Sequence, residues 1–386
     1  MSKDIRPATR VEEIKEYYFS KKLKEIAKMQ SEGADIISLG IGGPDRMPPL
    51  KAIDVLCDAV RRSDVHSYQS YVGLPELRRA FADWYHAKYN VTLNPENQIL
   101  PLIGSKEGIL HVSLAFLNPG DGVLVPDPGY PTYSSVSKLV GAELYRYPLK
   151  PENGWQPDFE ELESLPLDKI KLMWINYPHM PTGARASRAV FEKLIEFAKT
   201  HNIVIAHDNP YSFILNPEPM SLFQIEGAMD IAVELNSLSK SHNMAGWRFG
   251  MVASNPEFIS WIMKVKSNID SGQFKPMMLA ASEALNAGDE WYEELNREYA
   301  DRRKIAGEIM HALGCTYDPE QVGLFLWGRI PEEAESSEAF ADSILYNNHV
   351  FITPGSIFGS RGDRYIRISL CAPVPRLCEA LSRLAT

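Results

Sequence analysis

Short apolar runs alternate with longer helical segments through the middle of the chain. The apolar runs span 99–103, 123–126, 172–176, 203–207, 231–235 and 250–253. Because a strand that is followed by a helix commonly returns parallel to its predecessor, this alternation predicts a mostly parallel sheet with helices on both faces. The predicted fold class is therefore α/β.

Small and polar residues stand at the carboxyl ends of four of these runs. They are Gly104, Asn176, Asp208 and Ser237. Binding clefts of open α/β sheets lie at the carboxyl edge of the strands. We therefore expect the chemistry of the chain to be collected at one edge of the sheet.

The segment 237–250 places a lysine between hydroxyl groups and close to an arginine. It reads Ser-Leu-Ser-Lys-Ser-His-Asn-Met-Ala-Gly-Trp-Arg-Phe-Gly, with Lys240 just after Ser239 and ahead of Arg248. A lysine that is partly desolvated beside cationic groups has a lowered pKa and can form a Schiff base with an aldehyde. Ser237, Ser239 and Arg248 could hold a phosphate. The alternative is a surface lysine in a polar loop, which Ser-x-Ser-Lys alone would favour.

The segment Gly-Ser-Lys-Glu-Gly at 104–108 is predicted to open a helix directly after a strand. Free N–H groups at a helix N-terminus, together with the helix dipole, favour an anion. The backbone amides of Ser105 and Lys106 are therefore candidates for a phosphate cradle. Such helix starts are common, so this segment predicts a phosphate site only because Lys240 and Arg248 occur in the same chain.

Asp208 ends a predicted buried strand three residues before Tyr211. A carboxylate beside a pyridine nitrogen keeps that nitrogen protonated and makes the ring an electron sink. The alternative for a strand-end aspartate is a helix cap.

Two further candidates lie elsewhere in the chain. Tyr130 lies in a turn-rich Asp-Pro-Gly-Tyr segment. Arg367 alternates with apolar residues near the carboxyl terminus, and the alternative for it is an arginine that faces solvent.

The pattern Ser-x-Ser-Lys-x-x-Asn-Met-x-Gly-Trp-Arg-x-Gly resembles the lysine signature of class I/II aminotransferases, which are pyridoxal-phosphate enzymes of fold type I. Segment 266–275 is similar, less diagnostically, to a loop of the LL-diaminopimelate aminotransferases and their alanine-active relatives. The resemblance implies a large cofactor-binding domain with a mostly parallel seven-stranded sheet at 46–288. It also implies a smaller α+β domain built from both termini, 1–45 and 289–386.

The resemblance implies a role for each matching residue. Lys240 would carry pyridoxal 5′-phosphate as a Schiff base and act as the catalytic base, and Asp208 would face the ring nitrogen. The other implied cofactor-binding residues are Gly104, Ser105, Lys106, Tyr130, Asn176, Tyr211, Ser237, Ser239 and Arg248. The implied substrate-binding residues are Gly42 and Arg367, the latter as a bidentate partner of the α-carboxylate.

The pattern Tyr-x-x-x-x-Gly-x-x-Glu-Leu-Arg at 68–78 resembles the family loop that crosses to the partner subunit. Tyr68 would then contact the partner's cofactor phosphate, and the resemblance implies a homodimer with shared active sites. Taken without the resemblance, the same segment is typical of a core tyrosine that precedes an ordinary helix start with a proline in its first turn.

The implied function is an amino-acid:2-oxoacid aminotransferase with ping-pong kinetics. A pyridoxal-phosphate-dependent lyase or decarboxylase on the same fold is the alternative reaction. A non-catalytic regulator, in which this fold is fused to a DNA-binding domain, is disfavoured because no basic domain precedes residue 35.

The sequence departs from the family at one site position. Relatives usually read Asn-x-Pro-x-Asn-Pro-Thr-Gly, and the second asparagine donates a hydrogen bond to the 3′-oxygen of the cofactor. This chain reads Asn-Tyr-Pro-His-Met-Pro-Thr-Gly, with Met180 in that place. A thioether cannot donate a hydrogen bond, so Tyr211 would be the main donor unless Asn176 or His179 replaces the missing amide. Alternatively, Met180 only packs against the ring.

The composition of the chain indicates which partners it can bind and where in the cell it is found. The formal net charge of −10 disfavours nucleic acid, which binds clustered lysines and arginines. No apolar stretch approaches the ~18 residues of a membrane span, and the amino terminus lacks the apolar core of a signal peptide, so we expect a cytoplasmic protein.

The four cysteines lack the spacing of metal ligands, and we expect them to be reduced, buried and structural.

Several helices are predicted outside the central alternation. A capping-box pattern at 9–12 predicts an N-terminal helix over 11–32 that ends before Gly33. Further helices are predicted near 49–63, over 254–284 with an interruption at 266–275, and over 289–313 as a bridge to the second domain.

Overall fold

The computed structural model describes residues 5–12, 14 and 16–385. The helices in these residues are α1 Thr9–Glu12, α2 Tyr18–Ser31, α3 Leu50–Ala59, α4 Pro75–Tyr89, α5 Ser105–Phe116, α6 Pro131–Leu139, α7 Phe159–Glu163, α8 Arg188–His201, α9 Ala228–Ile231, α10 Leu238–Ser241, α11 Pro256–Lys266, α12 Lys275–Leu285, α13 Asp289–Ala312, α14 Ser337–Asn348 and α15 Val374–Leu384. The strands are β1 Ile37–Ser38, β2 Ile99–Leu102, β3 Gly122–Asp127, β4 Glu143–Pro148, β5 Ile170–Ile175, β6 Val204–Asp208, β7 Ala232–Ser237, β8 Gly250–Ala253, β9 Thr316–Tyr317, β10 Phe325–Arg329, β11 Val350–Phe351, β12 Thr353–Pro354 and β13 Tyr365–Ser369.

Seven strands form the central sheet in the order β2-β8-β7-β6-β5-β3-β4. Strand β8 runs antiparallel to both of its neighbours, and the remaining pairs are parallel. Since β2 and β7 both oppose β8, the carboxyl ends of β2, β7, β6 and β5 meet at one edge. The predicted α/β class and the predicted single chemical edge are both confirmed.

Continuous burial explains why these strands form the centre of the molecule. Every residue of β3 and of β7 is buried, as expected for strands that are covered by helices on both faces. Helix α8 is one of the helices that cover the sheet, and it buries Leu194 and Ala198 on one face. The Ser187 side chain caps the start of this helix, and Asn202 ends it in the left-handed conformation. Full burial of a side chain such as Leu194 contributes about 1.5–3 kcal/mol.

A second group of strands lies toward the carboxyl terminus. Strands β12, β13, β10 and β9 form a four-stranded sheet, and β1 pairs with β11 in a separate parallel pair. In the four-stranded sheet Arg367 of β13 lies opposite Trp327 of β10. Trp327 also stacks on Tyr365, with ring centroids 5.0 Å apart, and this packing fixes β13 against β10.

Two local predictions are wrong. The single helix over 11–32 is instead two helices, because the chain is not helical at residues 14, 16 and 17; the extended backbone of Tyr17 turns its ring into a cavity. Residues 13 and 15 of that predicted helix lie outside the described residues. Strand β4 was missed because it is a half-exposed edge strand that contains charged residues.

The cysteine prediction is correct only in part. Cys315 and Cys371 are buried, but Cys57 and Cys378 are exposed, and all four are free thiols. Burial of the two exposed thiols was therefore wrongly predicted, since they lie on the outer faces of α3 and α15. None of the helices in the described residues has the length and apolarity required to cross a membrane.

Candidate active site

A cavity of about 410 Å³ opens at the carboxyl edge of the central sheet. It is lined by twelve residues predicted for the site: Gly42, Ser105, Lys106, Tyr130, Asn176, Asp208, Tyr211, Ser237, Ser239, Lys240, Arg248 and Arg367. Gly104 lies directly beside the guanidinium of Arg248. Tyr68 is not part of the lining and is 91% exposed. The structure thus brings together every predicted site residue except Tyr68.

Lys240 enters this cavity from the short helix α10, which follows β7 directly. The Ser237 side chain caps that helix by accepting the N–H of Ser239 at 3.1 Å. The Lys240 ammonium donates to the carbonyl oxygen of Gly42. Burial lowers the pKa of Lys240, and the nearby charges of Arg367 and Arg248 lower it further, against opposing effects of Cys371 and Asp208. These surroundings favour the neutral, nucleophilic amine.

The first turn of α5 forms an anion cradle beside Lys240. Gly104 precedes the helix with φ of 79°, and a side chain there would collide with the guanidinium of Arg248. Arg248 itself is held in the left-handed conformation, with Nη1 donating to the carbonyl oxygen of Ala245 at 2.7 Å. Free N–H groups, an arginine and the Ser239 hydroxyl fit a phosphate group. The cradle matches the phosphate of pyridoxal phosphate.

Asp208 faces the cavity from the end of β6. Its Oδ2 accepts a hydrogen bond from the Tyr133 hydroxyl at 2.8 Å, whereas its buried Oδ1 has no partner within the described residues. Burial raises the pKa of Asp208 to about 6, although Tyr133, His207 and Lys240 oppose this effect. A buried carboxylate oxygen without a donor fits the protonated ring nitrogen of pyridoxal phosphate.

Arg367 approaches the cavity from β13 and is buried. Its guanidinium carbon lies 3.9 Å from the ring centroid of Phe325 and 4.7 Å from that of Phe358, while Nη2 donates to the carbonyl oxygen of Gly40 at 2.8 Å. Burial lowers the pKa of Arg367 to about 10. The solvent-facing alternative for this arginine is therefore wrong, and Nε is left without a partner in the described residues.

Met180 contacts Arg367, since its sulfur lies 3.2 Å from Nη1. The Asn176 side chain is engaged at both ends: its oxygen accepts the Met180 N–H at 2.8 Å, and its nitrogen donates to the carbonyl oxygen of Asp208. His179 is buried and bonded to Thr182, outside the cavity lining. Asn176 is therefore held by two hydrogen bonds that use one N–H of its amide, whereas His179, whose Nε2 has no partner in the described residues, lies outside the cavity lining.

Three lining residues were not predicted for the roles in which the structure places them. Tyr17 and Tyr133 were not singled out, although Tyr133 follows Tyr130 by three residues at the start of α6. Lys106 was predicted through its backbone amide, but its ammonium also lies 4.7 Å from the ring centroid of Tyr17. Burial lowers the pKa of Lys106, and Arg248 lowers it further.

A second polar cluster lies behind the cradle. Ligand atoms of Glu107, His111 and Asp270 lie within 4.8 Å of one another. The Lys266 ammonium donates to Asp270 at 2.7 Å, and Glu107 accepts the N–H of Ile103 at 2.6 Å. Lys266 thus supplies positive charge to Asp270, and the cluster links α5 to the loop 267–274.

Comparisons with known proteins agree with this geometry. The family model for class I and II aminotransferases matches residues 34–384. An LL-diaminopimelate aminotransferase from Nitratidesulfovibrio vulgaris is 40% identical over 99% of both chains, and one from Aquifex aeolicus is 40% identical over 95% of both chains. The substrate-bound BacF structure from Bacillus subtilis is 36% identical, covers 99% of this chain and 97% of its own, and has a TM-score of 0.95.

Proposed function

The chain belongs to the class I and II aminotransferases and is a pyridoxal-phosphate-dependent enzyme that transfers an amino group from an amino acid to a 2-oxoacid; from this premise we propose that its amino-acid substrate carries a second carboxylate at the far end of the side chain. Arg367 would bind the α-carboxylate and Lys106 the distal one.

The observation that carries this proposal is the position of the Lys106 ammonium. It lines the cavity above the ring of Tyr17, and among the described residues burial and Arg248, but no carboxylate, act on its charge. An ammonium in a ligand cavity that lacks an internal counter-charge favours an anionic ligand group. Lys106 and Arg367 supply two separate cations, which suits a substrate with two carboxylates.

The curated relatives support the same substrate class. Several are named LL-diaminopimelate aminotransferases, and LL-diaminopimelate carries an amine and a carboxylate at each end. We therefore propose LL-diaminopimelate and simple dicarboxylic amino acids as the first donors to test. Their 2-oxoacid counterparts would serve as acceptors.

Each side chain of the cavity receives a role in this proposal. Bound pyridoxal phosphate supplies an electron sink for negative charge that develops at the substrate α-carbon. Asp208 would hold the ring nitrogen protonated through its free Oδ1, and Arg248 with the first turn of α5 would hold the phosphate. Lys240, once released from the cofactor, would move the proton at the α-carbon, because its lowered pKa favours the neutral amine that can accept this proton.

Lys106→Met should lower kcat/KM for LL-diaminopimelate and glutamate by about 10- to 100-fold, the loss of one charge-assisted contact. For phenylalanine and leucine, which lack a distal carboxylate, we expect a change below about threefold. The measurement is a donor panel in single half-reactions, read from the absorbance of the cofactor.

The control is Lys171→Met, an exposed lysine on β5 outside the cavity, which should leave the whole panel unchanged. Cofactor affinity is measured in parallel, because Lys106 also belongs to the first turn of α5. An equal loss for dicarboxylic and apolar donors would contradict the proposed substrate class.

Met180→Asn should restore a hydrogen-bond donor near the cofactor's 3′-oxygen. The added donor stabilises the negative charge on that oxygen, so the pKa of the nitrogen shared by Lys240 and the cofactor should fall, by up to about one unit for a bond of ~1 kcal/mol. Titrating the visible absorbance between about pH 5 and about pH 10 measures that pKa. Met180→Leu, which adds no donor, is the control, and an unchanged or higher pKa in the asparagine variant would reject this role.

A homodimer with shared sites is also proposed. Tyr68 is exposed in a single chain, and it is accompanied by the exposed apolar side chains of Tyr71, Val72, Ile269 and Phe274. The 267–274 loop packs against the Tyr68 loop at Gly272, and Gln273 bonds to the carbonyl oxygen of Arg248 at 3.2 Å. This exposed apolar face is therefore continuous with the phosphate cradle, which suits a partner subunit that reaches the cofactor.

Mixing Tyr68→Phe subunits with Lys240→Ala subunits tests the shared site. In a heterodimer one site would contain both lesions and the other neither, so after random exchange about a quarter of all sites should be intact. Activity should then rise above the mean of the two parent variants. If verified subunit exchange gives only that mean, Tyr68 does not act in the partner's site.

We also propose that the chain forms a large domain at 46–288 and a small domain at 1–45 and 289–386. One core cluster draws mainly on residues 295–380 together with Ile37 and Leu39, which supports a small domain built from both ends of the chain. The cytoplasmic location stays a prediction.

A further inference from the structure

A buried histidine, which precedes Asp208 in β6, lies beside a buried glutamate of the neighbouring strand β7. His207 of β6 and Glu234 of β7 are paired residues of adjacent parallel strands, and both are fully buried. The ring nitrogen Nδ1 of His207 lies 2.8 Å from Oε2 of Glu234. The other ring nitrogen, Nε2, lies 3.0 Å from the carbonyl oxygen of Tyr177.

The hydrogen bonds of Glu234 favour an ionised carboxylate. Besides the contact with His207, its oxygens accept the Tyr85 hydroxyl at 2.8 Å, the Ser221 hydroxyl at 2.8 Å and the Leu222 N–H at 2.7 Å. A protonated carboxylic acid would place a proton against one of these donors. Four donors around two oxygens stabilise the charged form.

Both ring nitrogens of His207 then face hydrogen-bond acceptors. A carboxylate and a carbonyl oxygen can each only accept, so each ring nitrogen must carry a proton to form its bond. The N–H of Tyr177 also lies near Nε2, but at 3.4 Å it is the longer contact. The geometry therefore favours a doubly protonated, positively charged imidazolium ring.

This cation directly precedes Asp208 in β6. The groups that act on Asp208 are the Tyr133 hydroxyl, His207 and Lys240, and each lowers the pKa of Asp208 against the effect of burial. Tyr85 and Tyr89 face Glu234 from α4, and the Phe191 ring packs edge-on against His207 from α8. Within the described residues, His207 and Lys240 are the two basic side chains whose charge lowers the pKa of Asp208.

We propose that His207, held as an imidazolium by Glu234 and by the Tyr177 carbonyl oxygen, is a positioning residue that keeps Asp208 ionised beside the cofactor's ring nitrogen. This inference rests on the proposed role of Asp208. The positive charge of Lys240 is removed when its nitrogen is not protonated. His207 is then the remaining cation that keeps the carboxylate charged in a buried setting, and an ionised Asp208 in turn keeps the ring nitrogen protonated.

The test uses holoenzyme loaded with pyridoxal phosphate that is labelled with ¹⁵N in the ring, since the ¹⁵N shift reports directly whether that nitrogen carries a proton. Wild type should keep the ring nitrogen protonated from about pH 6 to about pH 9. In His207→Gln, which removes the charge but retains a donor toward Glu234, the pKa of the ring nitrogen should fall by about one unit or more. Glu234→Gln should produce the same shift through loss of the imidazolium.

His179→Gln is the matched control. His179 is equally buried, but burial lowers its pKa to about 3, so it is neutral and its replacement removes no charge. The ring nitrogen should behave as in wild type. If His207→Gln and Glu234→Gln leave the ring nitrogen protonated as in wild type, the proposal is overturned.

A measurement on wild type covers the case in which the variants do not fold. With ¹⁵N-labelled histidine, one buried ring should carry protons on both nitrogens in the folded holoenzyme near neutral pH; the absence of such a ring would overturn the proposal. Failure of the proposed function is separate, because it would appear as a wild-type ring nitrogen without a proton or as a cofactor not attached to Lys240.

Discussion

Lys240→Ala is expected to lower the rate of transamination by at least about 10⁴-fold, the upper range for removal of a positioned general base. The loss should exceed that of any other single replacement, because the Lys240 amine would both attach the cofactor and move the substrate proton. Borohydride reduction of the holoenzyme should attach the cofactor covalently to the wild-type protein and leave the variant without attached cofactor. Both effects follow from the place of this amine between the anion cradle and Asp208.

Lys171→Ala serves as the control for that experiment, since Lys171 is an exposed lysine of β5. It should retain both labelling and turnover. A Lys240→Ala variant that transaminates at close to the wild-type rate, or that is still labelled, would show that another amine carries the cofactor.

Arg367→Met should reduce kcat/KM for α-amino acids by about 10²–10⁴-fold, because two charge-assisted hydrogen bonds to the α-carboxylate are lost at roughly 1.5–3 kcal/mol each. Methionine fills part of the space between Phe325 and Phe358 without a charge. The reaction with a primary amine that lacks a carboxylate should be slow in wild type and unchanged in the variant. Steady-state rates with both kinds of donor measure the contrast.

Arg329→Met tests whether any arginine of this sheet would behave in the same way. Arg329 is exposed at the end of β10 and pairs only with Glu332 in the described ion pairs. It should keep the wild-type rates. A loss below about tenfold in Arg367→Met, or an equal loss with the primary amine, would rule out carboxylate recognition by Arg367.

The local sequence was sufficient to predict the site residues that lie at the ends of strands. Asp208 and Ser237 are the last residues of buried strands and Gly104 comes just after one, and parallel strands bring such ends together whatever the packing elsewhere. The same logic located Lys240. Edge strand β4 was missed because its half-exposed, charged pattern resembles a loop, and the N-terminal helix was drawn too long because nothing local marks the extended backbone at Tyr17.

Other features depend on contacts between distant segments. Whether Arg367 faces solvent or a cavity is decided by Phe325 and Phe358, which come from two other parts of the chain. The Tyr133 bond to Asp208 joins residues that are 75 positions apart. The hydrogen bond between His207 and Glu234 likewise needs the register of β6 against β7, which the periodicity of a single strand does not contain.

The most direct test of the central claim is a pair of half-reactions on dialysed holoenzyme. An amino-acid donor added without any acceptor should convert the cofactor to its amine form, release one oxoacid for each site and then stop. A 2-oxoacid added afterwards should restore the original absorbance and release an amino acid. Continuous release of oxoacid and ammonia in the absence of an acceptor would contradict transamination and indicate a lyase.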